Sequence, residues 1–337
     1  MKTIGLSLFL CIILNFSLIA KVWVVNSNVG GPGDFKTAQT AIDAAASGDT
    51  LYFVGSTISY NSPILTKRLT LIGAGYFLNE NPNTYVNKST ANFGFIDLKK
   101  SDVDIENPNS GAAGSVLIGL EAGTVGIRVN NVEILRSKIG DIQNNSGGNT
   151  TGLVVKQCFL GSVSSTAQYP FSNCFFINNI VYSSGSISAF NSLYKNNTFV
   201  TNYGGDGSNE YVNNIFNDYT TITFNFNMDP NNLRNNIFGG KNTANDSRYT
   251  DGINNIFDVF GNIILSSGTT DGKYQLKEGS VASGAGEDGV DCGAFGGSEP
   301  YILSGLPPIP VIYEINVPTS VNKADGLEIQ IKAKVQN

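Results

Sequence analysis

The 337-residue chain has no histidine, one tryptophan, two methionines and only four cysteines. Without an imidazole there is no Ser-His-Asp triad, no histidine metal ligand and no histidine general base. Charged residues make up 14% of the chain, against roughly 25% in an average soluble domain. The net charge of −6 and the absence of any basic cluster argue against a nucleic-acid partner. No CxxC spacing occurs, which argues against a zinc site. In place of charge stand 38 Gly and about forty Asn. These are residues of repeated tight turns, and they oppose long helices. Hydrophobic residues, at 41%, suffice for a real core, and the length allows one large domain or two ordinary ones.

Residues 1–20 read MKTIGLSLFLCIILNFSLIA. Lys2 precedes an apolar run from Ile4 to Ala20 that Ser7, Asn15 and Ser17 interrupt. This is the pattern of a secretory signal peptide cut after Ala20, with an N-terminal anchor as the alternative. Secretion, or a cell-surface or periplasmic location, is expected, with no membrane span in the mature chain. Leu10 stands before Cys11 where a lipoprotein signal wants Gly or Ala. Cys158, Cys174 and Cys292 remain after cleavage, enough for one disulfide with a thiol left over.

The middle of the chain repeats. Asn-Asn-Ile-Phe occurs at Asn213–Phe216, Asn235–Phe238 and Asn254–Phe257. Looser versions begin at Asn196, Asn173, Gln157 and Ser137. Aligned on their second residues, the steps between units average near twenty, too short for a propeller blade or a helical-pair repeat. Short β-rich stretches lead into each Asn pair, so three brief strands per coil predict a parallel β-helix. Stacked coils bring the second Asn of each pair about 4.8 Å apart, where their amides bond coil to coil. The Phe and Ile that follow are expected to form an internal apolar ladder. In this alignment Cys158 and Cys174 both occupy the second-Asn position of consecutive coils, which makes them neighbours, bonded or as paired thiols. About eleven to thirteen coils are expected.

At the start, Thr37 or Asp34 caps a helix running to Ala46 with Ala38, Ile42 and Ala45 on one face, sized to cover the open first coil. Ser47-Gly48-Asp49-Thr50 and a strand over Leu51–Val54 follow, then Ile64–Gly73. With Ser280–Gly286 and Asp291–Gly297 near the far end, this order resembles the secreted pectate-lyase-like right-handed parallel β-helix proteins, from about Lys21 to Tyr301. The resemblance implies an all-β solenoid with an N-terminal capping helix, and a final coil over Ser280–Gly297. After it, Leu306–Pro310 reads as a stiff spacer. Val311–Val317 and Leu327–Val335 alternate as a C-terminal β-hairpin extension. The division expected is 1–20 leader, 21–301 β-helix, 302–337 spacer and hairpin.

The resemblance also implies where chemistry could lie. Pectate-type lyases hold calcium with carboxylates beside a basic residue. The best local candidate here is Asp102-Val103-Asp104-Ile105-Glu106, whose alternating acids share one strand face; the alternative is a solvated strand face with Val103 and Ile105 inward. Arg136, Lys138 and Asp141 are the candidate catalytic groups, with Ile134 and Arg136 facing one way and Leu135 the other. The Asp pair and histidine of polygalacturonase-type hydrolases are both absent. Calcium is possible; no other cofactor is evident. Tyr169, Tyr182, Tyr194, Tyr203, Tyr211 and Tyr219 recur at coil-like spacing, and an exposed tyrosine row stacks on sugar rings. Tyr182, Tyr194, Tyr203 and Tyr211 are the glycan-contact candidates. The expectation is a monomeric secreted β-helix that binds polysaccharide or a surface glycan without clear catalysis. A divergent lyase or hydrolase and a purely structural or adhesive module are the alternatives.

Overall fold

The computed structural model describes residues 20–183, 187–201, 204–205, 208–217, 223–224, 229–239, 252–257, 259, 261–320 and 326–335. The expected leader, apart from Ala20, lies outside them.

The chain winds into a parallel β-solenoid. One long sheet stacks ten parallel strands, from Val22–Val25 through Glu133–Leu135, Val154–Lys156 and Phe175–Ile177 to Leu233–Arg234. A second stacks nine, from Ile64–Leu65 to Ile237–Phe238, and a third, shorter one pairs Thr150–Thr151, Phe171–Ser172 and Ala189–Phe190. Among the described residues these ten strands, at 4.8 Å each, make a stack about 45 Å long, and parallel bridges at Ile253 and Ile256 add the rung of one further coil. Helix α1, Ala38–Ala44, is capped by the Thr37 hydroxyl and ends two residues short of the expected Ala46; Ala38 and Ile42 are buried as expected, with Ala41 beside them and Ala45 buried at the C-cap.

Two residues turn the chain from the first sheet into the second. The first of each pair has left-handed backbone, φ 47° to 58°, at Arg136, Gln157, Asn178, Asn196, Asn213, Asn235 and Asn254. Most side chains pay roughly 1–2 kcal/mol there, and Asn less. The second residue points inward. Asn179, Asn197, Asn214, Asn236 and Asn255 form one ladder: each amide Nδ2 up to Asn236 donates to the next Oδ1 at 3.0 Å. Each Nδ2 also donates to a backbone carbonyl on the other side, as Asn214 does to Tyr194 O at 2.8 Å. Every Oδ1 takes the backbone N–H of the preceding ladder residue as well. Within the ladder no side-chain amide is left without a partner, which is why polar residues are tolerated at these inward positions.

The column begins earlier, at Ser137 and Cys158, whose backbone N–H groups point to Cys158 Sγ and Asn179 Oδ1. Its true spacings are 21, 21, 18, 17, 22 and 19 residues. Asn178-Asn179, not Asn173-Cys174, is therefore the corner pair of that coil. Asn173-Cys174 belongs to the other two-residue corner, between third and first sheets, with Asn191-Ser192 above it. Both corners use a left-handed Asn, so local pattern alone confuses them.

Beside the ladder the core is a stack of rings. Phe176, Tyr194 and Tyr211 lie 4.9 and 4.8 Å apart, and Phe199, Phe216, Phe238 and Phe257 between 4.7 and 4.8 Å. The Ile of each motif was expected inside too. Instead Ile180, Ile215 and Ile237 face outward from the second sheet, each one residue before an inward side chain, Val181, Phe216 and Phe238. They are buried because the C-terminal chain covers them.

That covering is the main departure from expectation. Ser280–Gly297 is not a final coil but part of a strap running back along the rod. The outward side chain of each corner residue grips it in turn. Asn235 donates to Ala285 O, Asn213 accepts from Glu287 N, and Asn196 donates to Asp291 O. Asn178 then holds Ala294 O and Gly296 O, and Gln157 holds Glu299 O and Pro300 O. The strap closes on a buried knot: Asp271 accepts from Asn81, the Ser304 N–H and Tyr301, whose hydroxyl meets that of Tyr76 at 2.6 Å. Gly305, φ 53°, fits because a Cβ there would lie 2.3 Å from both Arg136 O and the Tyr76 ring. Leu306 is buried against Ala74 and Leu78, so the expected spacer starts as packed chain. Val311–Asn316 and Gln330–Lys334 then pair antiparallel as the expected hairpin.

Asn214→Leu removes the amide from the middle of the ladder and orphans partners on both sides. It is expected to cost roughly 1–3 kcal/mol, read as a lower urea midpoint with the strand-dominated circular dichroism kept. A midpoint equal to the parent's would place this residue outside the ladder.

Candidate functional site

The outer face of the first sheet meets the strap in a cleft of about 390 Å³, within the range of small-ligand sites. Its floor is Ile118, Leu135 and Val154; its far wall is Ser298, Glu299, Pro300 and Ile302. Strand alternation puts Glu133 and Val154 in one outward column and Leu135 and Lys156 in the next. Lys156 forms an ion pair across the cleft with Glu299. The column through Glu133 and Val154 continues to Phe175 in the next coil, then Leu193. The Phe175 ring is 43% exposed, so an apolar track leaves the cleft and ends on a bare aromatic face. Phe175 was missed because Phe175-Phe176 read as one apolar pair, although adjacent residues of a strand face opposite ways.

Arg136 lines this cleft, but as part of its frame. Its left-handed φ of 47° ends the strand alternation, so it does not share a face with Ile134, which is fully buried. Nε donates to Gln157 Oε1 at 2.9 Å and Nη1 to Leu306 O at 3.1 Å. Burial lowers its pKa, and Glu299 opposes the shift. Lys138 is elsewhere, paired with Glu121 at 2.6 Å and 5.1 Å from the Phe77 ring centroid. Asp141 accepts from Ser162 and Ser164 at 2.7 Å. Each of the three is engaged in its own local contacts, and they do not form one catalytic group.

The calcium candidates are likewise separated from any ligand geometry. Asp102–Glu106 is a run of turns, not a strand. Val103 is 95% exposed and Ile105 63%, the reverse of the inward packing expected. Asx and hydroxyl turns outcompete the ladder here: Ser110 donates to Asp104 O, and Asn107 to Asp104 Oδ2. Among the described residues no group of three or more Cys, Asp or Glu is placed to hold a metal ion.

Among the described residues the tyrosines do not form a surface row. Tyr194 and Tyr211 are fully buried rings of the internal stack. Tyr182 lies against Phe159, 4.5 Å between centroids, in the apolar layer beneath the strap. Tyr169 sits in a turn with Thr166. Tyr203 and Tyr219 lie outside the described residues. Coil-like spacing is common to every column of a solenoid and does not say whether a column faces in or out.

The cysteines are also redistributed. Cys158 stands in the Asn-ladder corner and Cys174 in the opposite one, so they are not stacked neighbours, and all three are free thiols. Cys292 belongs to the strap and donates to Asn235 O.

Comparison with protein families, with curated proteins and with solved structures returned no match. Among the described residues no helix is long and apolar enough to cross a membrane.

Burial pushes the Cys158 and Cys292 thiols up to about 12 and Cys174 to about 11. Folded thiols therefore keep their protons where unfolded ones lose them, above about 8.5. Stability is fully present below that value and falls as pH rises from it towards 11–12. At pH 9 a thiol reagent should label none of the three until urea unfolds the chain. Rapid labelling of the folded protein would contradict this placement.

Proposed function

We propose that this chain is a secreted β-helix protein of the pectate-lyase-like kind that binds a carbohydrate chain along the outer face of its first sheet, without acting on it chemically. The observation that carries the reading is the exposed Phe175 ring at the end of the apolar track from the cleft. Sugar rings present C–H faces to aromatic and aliphatic surfaces while their hydroxyls need polar partners at the edges. Phe175, Val154 and Leu135 supply the first, and Glu133, Lys156 and Glu299 the second. The leader-like residues 1–20 support an extracellular setting, where such polymers are met. The non-catalytic reading is supported by the engagement of Arg136, Lys138 and Asp141 in separate contacts.

A glycan array followed by calorimetry on the best hit tests this. Phe175→Ala should weaken binding at least about tenfold, or 1.4 kcal/mol, while Phe190→Ala on the third sheet leaves it unchanged. The bound polysaccharide should be recovered intact, with no unsaturated uronide released. An array without hits, or a Phe175→Ala variant that binds like the parent, would remove the proposal. Release of unsaturated uronide would replace it with a lyase.

A further inference from the structure

The hairpin has two unlike faces. Glu314 lies opposite Lys332 and Asn316 opposite Gln330, which makes one face polar. Ile315 lies opposite Ile331 and Ile312 opposite Ala333, so the other face is aliphatic. Val317, Ile329 and Val335 follow in the same alternation. An offset at Tyr313 keeps the two strands in phase across that face. Ile312, Ile315, Val317, Ile329, Ile331 and Val335 are between 41% and 57% exposed. A two-stranded ribbon is marginal in water on its own, and it normally needs such a face covered.

We infer that this face is a docking surface for the same face of a second copy of the chain. Three observations select that occupant. First, the surface is complementary to itself: branched side chains of similar size line both strands, and the central pair is Ile315 with Ile331. A two-fold axis through that pair sets like against like, as closed dimers require. Second, charge permits it. From Val311 to the end, Lys323, Lys332 and Lys334 balance Glu314, Asp325 and Glu328, so the whole net charge of −6 lies in the preceding chain. Two acidic rods repel everywhere except through these neutral ends. Third, the area suffices: half-exposed aliphatics in this number offer on the order of 500 Å² per copy, about 1,000 Å² for the pair, the threshold for a specific interface. The dimer replaces the monomer expected from the sequence. It places two sheet clefts on one particle, which multiplies affinity for a repeating polymer without any new contact.

Sedimentation of the full chain between about 1 and 100 μM reads the association directly. A monomer–dimer equilibrium with Kd in the micromolar range is expected. Ile331→Lys should weaken it at least about tenfold with the thermal midpoint unchanged, because the solenoid core is untouched. In the chain from Lys21 onward, Ile331→Cys should form a disulfide-linked dimer under mild oxidation, whereas Lys332→Cys on the polar face should not; Cys158, Cys174 and Cys292 are buried and silent. A chain that stays monomeric at 100 μM overturns the proposal, and flotation of that monomer with phosphatidylcholine vesicles would reassign the face to lipid. A dimer that survives Ile331→Lys and leaves Ile331→Cys uncrosslinked overturns it as well.

Discussion

The structure depends on a two-residue corner. Its first residue takes a left-handed backbone that sends its side chain out, and its second sends an amide in. The inward amide meets the same group one coil away, so each added coil satisfies the one before it. Parallel strands are then held at a fixed spacing by bonds that no loop of variable length can disturb. This is why the coils differ by several residues in length, 17 to 22 at the ladder, without losing register.

The outward side chain of the same corner does the second task. Six successive positions, Arg136 to Asn235, each reach a backbone group of the strap, in reversed order along the rod. The strap in turn dries the Ile column of the second sheet, which would otherwise be an exposed apolar stripe. One dipeptide thus builds the inner ladder and closes the outer surface. The cleft beside Glu299 exists only because the strap leaves the first sheet uncovered there, and its wall and floor come from residues more than a hundred positions apart.

Groups that look reactive in the sequence are mostly spent on this construction. Arg136 occupies a corner where Asn stands in later coils, and its length lets it reach the far end of the strap at Leu306. Asp271 was given no role by the sequence, yet it is buried with three donors from two distant segments, Asn81 and Tyr301–Ser304. Buried carboxylates persist only where such donors converge. Phe175 is the opposite case, an apolar residue left open on a sheet whose inner face is full.

Asn-Asn repeats, the Thr37-capped helix and the alternating C-terminal strands were legible in the sequence because each rests on short-range geometry: turn chemistry, a capping hydroxyl and a period of two. What alternation cannot carry is which column of a solenoid faces inward, since every column repeats at the coil length. So Tyr194 and Tyr211 were expected outside and Phe175 inside, and only packing separates rings in the core from a ring in water. The strap was hidden for a related reason. Its bonds join Asn178 to Ala294 and Gln157 to Pro300, separations across which local residue preference says nothing. Composition and turn chemistry determined that the chain forms a solenoid with laddered corners. Only the tertiary structure decided which face the C-terminal chain covers and which it leaves open, because that choice is made by contacts between residues far apart in sequence.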